Sequence, residues 1–472
     1  VAKISKLLAH YIKPLNPAGD SFALEIKVKM KHQLTVICLL GLLQCWQEGN
    51  AQQRLSGGQS VTLPEVWARL EKHNKELKSK ELEVKKSEAQ WKSARIDRLP
   101  ELNVGGSYSR VSDMMLYKDG IFREGKNVPV IPQSYSIGGE AALNLYNGGK
   151  TKLEIQLKKI QLEMAADQHD LAGADLKFKS AVYYFELLRN YQFKALMLQE
   201  IAYEEKQLKE ISHLYQNGIV LKSDVLRADL KVSNQKLLIS EIENNIVLGS
   251  QQLNIMMGQA DSIRLAPDPG KMENPPSSVL SYQEYLALAL KSSFEIKLSA
   301  NERALKDLNV KQVKSNVLPK LSLFSAYHYN YPQSSFYPYS DALWGFGQLG
   351  LKLTMPISNF YLNKHKTTAA AISSKQQGLA YEIREDEIRT AVNKAWLHYT
   401  EALKRIEVAK KNILQATESL RILRNSYFNQ QALLTDMLDT ETQLLQSRFD
   451  LTTAEVNAQI QYYQLLKTVG KI

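Results

Sequence analysis

The sequence predicts a mainly α fold with a small β part: long α-helical hairpins built as two internal repeats, with four membrane-crossing strands per chain. Three observations predict it. Chain breakers are scarce, with 23 glycines and 14 prolines in 472 residues, about 8% against a usual figure near 12%. No proline occurs between Pro132 and Pro267 or after Pro356, and apolar residues in those stretches recur at helical spacing. Between them, four short segments switch to a period of two.

Composition narrows the function classes. At 44% hydrophobic residues the chain is too apolar to be disordered. No apolar run reaches the length of a membrane-spanning helix. The net charge of +11 is spread along helical stretches, which reads as solvated helix faces and not as a nucleic-acid surface. Cys38 and Cys45 are the only cysteines, so neither a disulfide framework nor a cysteine-ligated zinc site is available to the rest of the chain.

The first element is a leader. Met30-Lys31-His32 precedes the apolar stretch Leu34–Leu43, and Gly49 and Ala51 sit at the −3 and −1 positions of a cut before Gln52. This is the grammar of a secretory signal peptide over residues 30–51, with 1–29 as an upstream extension. Leu42-Leu43-Gln44-Cys45 offers a rival cut that would leave Cys45 lipidated.

Two repeats follow, at 61–258 and 280–470, joined by a linker at 259–279 that holds Pro267, Pro269, Pro275 and Pro276. Asn74-Lys-Glu-Leu-Lys returns as Ser293-Phe-Glu-Ile-Lys, and Leu99-Pro-Glu-Leu as Leu318-Pro-Lys-Leu, at one common offset. Tyr215 (YQNGIVLKSDVL) matches Tyr427 (YFNQQALLTDML), and Gly258 matches Gly470, at a second. In the second repeat Ile388, Val392, Ala395, Tyr399, Ala402, Ile406, Ala409, Ile413, Ala416, Leu420 and Leu423 alternate four and three apart, a spacing that favours left-handed coiling against neighbouring helices. Lys150–Asn217 reads as one helix of about 68 residues, roughly 100 Å long. Val220–Met257 and Leu280–Val317 read as helices of about 38 residues each, roughly 57 Å. A long helix would thus descend, turn near Gly218, and be matched by a short helix returning to mid-height and a second one completing the climb.

The strands fall in hairpins at 102–146 and 321–357. Tyr135, Ile137, Gly139, Ala141, Leu143 and Leu145 alternate with polar or small residues, as do Leu349, Leu351, Leu353, Met355 and Ile357. Leu321, Leu323, Tyr327, Tyr329 and Tyr331 oppose Ser322, Ala326, His328 and Asn330, and Leu102, Val104 and Tyr108 oppose Asn103, Ser107 and Ser109. Each segment has the length of a tilted membrane-crossing strand, and Phe336, Tyr337, Tyr339 and Trp344 suit an interfacial girdle. Four strands are too few to close; three copies would give twelve, so the strand count itself predicts an oligomer.

With its paired Leu-Pro-x-Leu strand starts, the Tyr146-Asn-Gly-Gly-Lys hairpin exit and the two helix-turn motifs at Tyr215 and Tyr427, the chain resembles TolC-type outer membrane efflux proteins over about 61–470. The resemblance implies a homotrimeric duct in outer membrane lipid, extending through the periplasm. It also implies docking to a periplasmic adaptor (membrane fusion) protein and an inner-membrane pump, in tripartite efflux or type I secretion, with no cofactor. It places a periplasmic gate at the helix tips. Asp436 and Asp439 match its two acidic positions, Tyr427 its tyrosine, and Ser223 and Asp224 the tyrosine's inter-helix partners. Gln430 replaces the usual turn glycine and Ala432 stands where an arginine often sits.

The acidic pair carries its own physical argument. Asp436 and Asp439 lie three apart on one helix face, so threefold symmetry would make two carboxylate rings. Carboxylates about 10 Å apart repel by about 1–2 kcal/mol per pair at an effective dielectric of 20. Such rings select cations and resist tight closure. Arg227 occupies the first-repeat position matching Asp439, so only one turn per chain carries the double acid.

No enzyme is expected. Gly345-Phe-Gly-Gln-Leu-Gly350 satisfies GxGxxG, but lies within an alternating strand with no helix behind it. The eight histidines are scattered, with no HExxH, GxSxG or P-loop pattern. The competing reading is a secreted coiled-coil structural or adhesion protein without a pore.

Overall fold

The computed structural model describes residues 58–268, 280–333 and 339–472. The leader with Cys38, Cys45 and both cut sites, the linker prolines 269, 275 and 276, and Phe336 and Tyr337 lie outside the described residues. The chain divides into a small unit that includes Gln59 and Arg264–Ala266, and a large one, 60–263 and 267–472. The large unit carries everything that follows.

Apart from single turns, its helices are α1 (Leu63–His73), α2 (Lys75–Ile96), α3 (Lys150–Gln216), α4 (Lys222–Met257), α5 (Tyr282–Ser292), α6 (Phe294–Lys314), α7 (Lys364–Phe428) and α8 (Leu434–Thr468). Among the described residues no helix is long and apolar enough to cross a membrane. The expected helix at 150–217 forms as α3, with 67 residues, about 100 Å. The stripe read along 388–423 faces inward: Ile388, Val392, Ala395, Tyr399, Ala402, Ala409 and Ala416 are buried.

Two expectations are corrected. The segment 280–317 is not one helix: it breaks at Ser293, as the corresponding first-repeat segment breaks at Asn74. Nor does 280–317 alone complete the climb beside α3. Each long helix is flanked by short helices of its own repeat, α4 and α2 beside α3, α8 and α6 beside α7, while α6 and α8 also touch α3 and so join the repeats.

The cause lies at the breaks. Asn74 Oδ1 accepts from the backbone N–H of Glu76 and Leu77 at 2.9 and 3.1 Å, capping α2. Its Nδ2 donates to Met256 O at 3.1 Å, so α2 begins at the level where α4 ends. The second repeat repeats the junction without the side-chain bond. Gly470 lies against Ser292, where a Cβ would come within 2.6 Å of the Ser292 carbonyl oxygen, as Gly258 lies against His73.

The four expected strands form one antiparallel sheet in the order β1 (Glu101–Arg110), β2 (Gln133–Tyr146), β3 (Lys320–Tyr331), β4 (Trp344–Thr354). Register makes its faces continuous. Val104 stands opposite Gly139, and Gly139 opposite Tyr327; Leu143 pairs with Leu323 and Leu323 with Leu351. One face is therefore apolar across all four strands, while Asn103, Glu140, Ala326 and Gln348 line up on the other. On the apolar face Val104 is 85% exposed and Leu349 74%. The outer edges, β1 and β4, pair with no strand among the described residues. A small ribbon, Met114–Leu116 with Lys126–Val128, extends the first hairpin and was not expected.

Candidate functional site at the helix tips

The two long helices end in one and the same turn. At the end of α3, Gly218 N–H donates to Tyr215 O at 2.9 Å and Ile219 N–H to Leu214 O at 2.9 Å; at the end of α7, Gln430 N–H donates to Tyr427 O at 2.9 Å and Gln431 N–H to Ser426 O at 2.8 Å. Both are Schellman closures, which place the residue after the cap in the left-handed region. Gly218 adopts φ +75° without cost. Gln430 adopts φ +58° and is the only non-glycine residue with positive φ among the described residues, a conformation that costs an L side chain about 1 kcal/mol.

The tips meet around a cavity of about 490 Å³, lined by apolar Leu214, Leu221, Phe428 and Leu433 and by Ser223, Asp224, Arg227 and Tyr427. Three of the five residues expected at the gate, Ser223, Asp224 and Tyr427, thus come together. The Tyr427 hydroxyl is buried with no hydrogen-bond partner among the described residues. Burial first, and the Asp224 carboxylate second, push its phenol above the ordinary value. Asp224 caps α4, accepting from the Leu221 N–H at 3.2 Å. Ala432 lines the cavity too, but Arg227 supplies the cation there.

Asp436 and Asp439 lie apart from that cavity. Both are exposed, and Asp436 sits in the first turn of α8, the position that Asp224 holds in α4. Unlike Asp224, its carboxylate makes no hydrogen bond among the described residues. Asp439 borders a groove of about 450 Å³ between α4 and α8, opposite Arg227 and Lys231.

One cluster escaped the sequence. The sequence predicts solvated helix faces for the charges along the helices; Glu204, Lys231 and Glu441 are instead packed between helices. Lys231 Nζ lies 2.6 Å from Glu204 Oε1 and 2.8 Å from Glu441 Oε2, and both carboxylate side chains are 1% exposed. Burial pushes the Glu204 carboxyl up to about 7, against the pull of Lys231. The available signal was a charge inside an apolar stripe: Glu204 falls between Met197, Ile201 and Ile211, all buried.

With this geometry in place, likeness to known proteins becomes informative. The sequence model of the outer membrane efflux protein family matches residues 67–259 and 285–471. No curated protein matches the chain at a significant level. Among solved structures, the outer-membrane channel OprN is 15% identical at a TM-score of 0.72, over 87% of this chain and 90% of its own. The outer membrane protein VceC from Vibrio cholerae is 16% identical at 0.70, over 86% and 96%. The Campylobacter jejuni CmeC outer membrane channel is 16% identical at 0.70, over 87% and 85%. At these identities the likeness is one of fold.

Proposed function

The chain belongs to the outer membrane efflux protein family, and on that premise we propose that it works as a homotrimeric exit duct gated at its helix tips. It is a channel protein of the outer membrane and not an enzyme. Three copies close their sheets into a twelve-stranded barrel, and their helices continue as a tunnel into the periplasm. There the tips meet a periplasmic adaptor and, through it, an inner-membrane pump. Ser223, Asp224, Tyr427, Asp436 and Asp439 form the gate.

The observation that carries this reading is the open sheet: four strands with one continuous apolar face and two edges that pair with no strand among the described residues. An exposed edge is a template for pairing, and a symmetric barrel removes it. The helices agree with this. Leu226, Leu230, Leu237 and Leu248 stand exposed on α4, and Leu379, Ile383, Leu397 and Val408 on α7. These are the two outermost helices of the tip-proximal order α4–α3–α8–α7. Apolar stripes at the two flanks are what neighbouring copies would cover. A pore-free secreted coiled coil has no use for the sheet.

Planar-bilayer recording tests the gate. Asp436→Ala combined with Asp439→Ala is expected to change single-channel conductance and to weaken block by trivalent cations. A double variant with the conductance and block of the native channel refutes the acidic ring.

A further inference from the structure

The helices just above the tips enclose a charge cluster that the gate does not use. Its centre is Lys231 of α4, shared between Glu204 of α3 and Glu441 of α8, so one ammonium bridges the two repeats. Glu441 Oε1 accepts from Gln207 Nε2 at 3.1 Å and from the Tyr203 hydroxyl at 3.5 Å. Lys231 also donates to Leu438 O at 3.4 Å. The charged groups around this centre come from every neighbouring helix. Glu200 of α3, whose side chain is 12% exposed, lies 3.7 Å from Arg448 of α8. Arg424 of α7 stacks over the Tyr203 ring, 5.4 Å from its centre. Arg227 of α4 and Asp439 of α8 line the adjoining groove with Lys231.

The count does not balance. Glu204 and Glu441, both buried, share the single ammonium of Lys231, while Glu200 has a cation of its own in Arg448. A buried carboxylate left without a counter-charge is costly, and one bound proton restores neutrality. The cluster sits across the joint where a second-repeat helix packs on a first-repeat hairpin, and any spreading of the tips must strain that joint.

We propose that the Glu204–Lys231–Glu441 triad is a proton-operated latch: with one proton bound it holds α8 against α3 and α4, and on losing that proton to solvent it releases α8 and loosens the tips. As a control on opening, the latch rests on the exit-duct reading; as a joint between repeats it does not. The sign follows from burial. Glu204 holds its proton up to about pH 7 when packed, against 4.5 when free. The packed joint therefore binds more protons than the released one. Its stability is full below about pH 4.5 and falls as pH rises through 7.

Two readouts on the full-length chain decide it. In planar bilayers, the mean native current is expected to rise about tenfold from pH 6 to pH 8, as the ionised fraction of a single group titrating near neutrality does. Glu204→Gln, which keeps the shape and cannot ionise, is expected to stay at the pH 6 value throughout. Amide hydrogen exchange over residues 434–448, corrected for its intrinsic pH dependence, is expected to accelerate about tenfold over the same range in the native chain and not in the variant. Should Glu204→Gln fail to assemble, Glu441→Gln leaves a one-to-one pair and is expected to lose the pH response equally. Variants that keep the native pH profile of exchange overturn the latch. Absence of pores at every pH overturns the duct reading instead, and exchange still judges the latch.

Discussion

At the scale of single residues, the tip turns pair a glycine with a glutamine in the same backbone state. Gly218 and Gln430 close equivalent Schellman turns, and only the glutamine is strained. Gln430→Gly is expected to stabilise the α7–α8 tip by about 1 kcal/mol, read as slower amide exchange at 426–434, whereas Gly218→Ala costs a similar amount at the α3–α4 tip. Equal exchange in Gln430→Gly and native chains would remove strain from the account of this turn. Position 430 was legible because the internal repeat aligns it with Gly218. The Glu204–Lys231–Glu441 cluster was not legible. A charged residue on a helix is solvated far more often than buried, and which stripe it occupies depends on contacts between helices distant in sequence.

At the scale of elements, the repeat was readable and its helix breaks were not. The match of Asn74-Lys-Glu-Leu-Lys to Ser293-Phe-Glu-Ile-Lys marks both breaks, yet a short polar residue inside an apolar period does not end the period. Only the packing distinguishes a cap from a solvated side chain. The two junctions differ in chemistry: Asn74 caps α2 and bonds Met256 O, while the Ser293 side chain makes no cap bond. Asn74→Ala is therefore expected to destabilise the fold by about 1–2 kcal/mol, the loss of a cap and a buried partner. Ser293→Ala is expected to cost less than about 0.5 kcal/mol, the range of a substitution that removes no cap or network. Chemical denaturation of the assembled protein compares them, and equal costs would contradict the asymmetry. The strands read well from sequence because a period of two survives wherever one face is apolar. The ribbon at 114–116 and 126–128 was missed because three-residue strands show no period at all.

At the scale of the molecule, everything turns on which side of the sheet meets lipid. Register sets Leu351 opposite Leu323 and Gln348 opposite Ala326, so the two lie on opposite faces of β4, and Leu351 is 64% exposed in the single chain. If three sheets close into a barrel, Leu351 faces hydrocarbon and Gln348 an aqueous lumen. An arginine on the lipid face near the bilayer midplane costs about 2–4 kcal/mol, and a lumen-facing one little. With threefold symmetry that cost recurs in every copy. Leu351→Arg is accordingly expected to abolish the heat-modifiable oligomer on gels of detergent-extracted membranes. Gln348→Arg, three residues away on the same strand, is expected to leave the oligomer intact while shifting the pore toward anions. A sheet packed on protein in a pore-free particle makes the opposite demand: both substitutions would then act on solubility alone, with no oligomer lost and no selectivity moved.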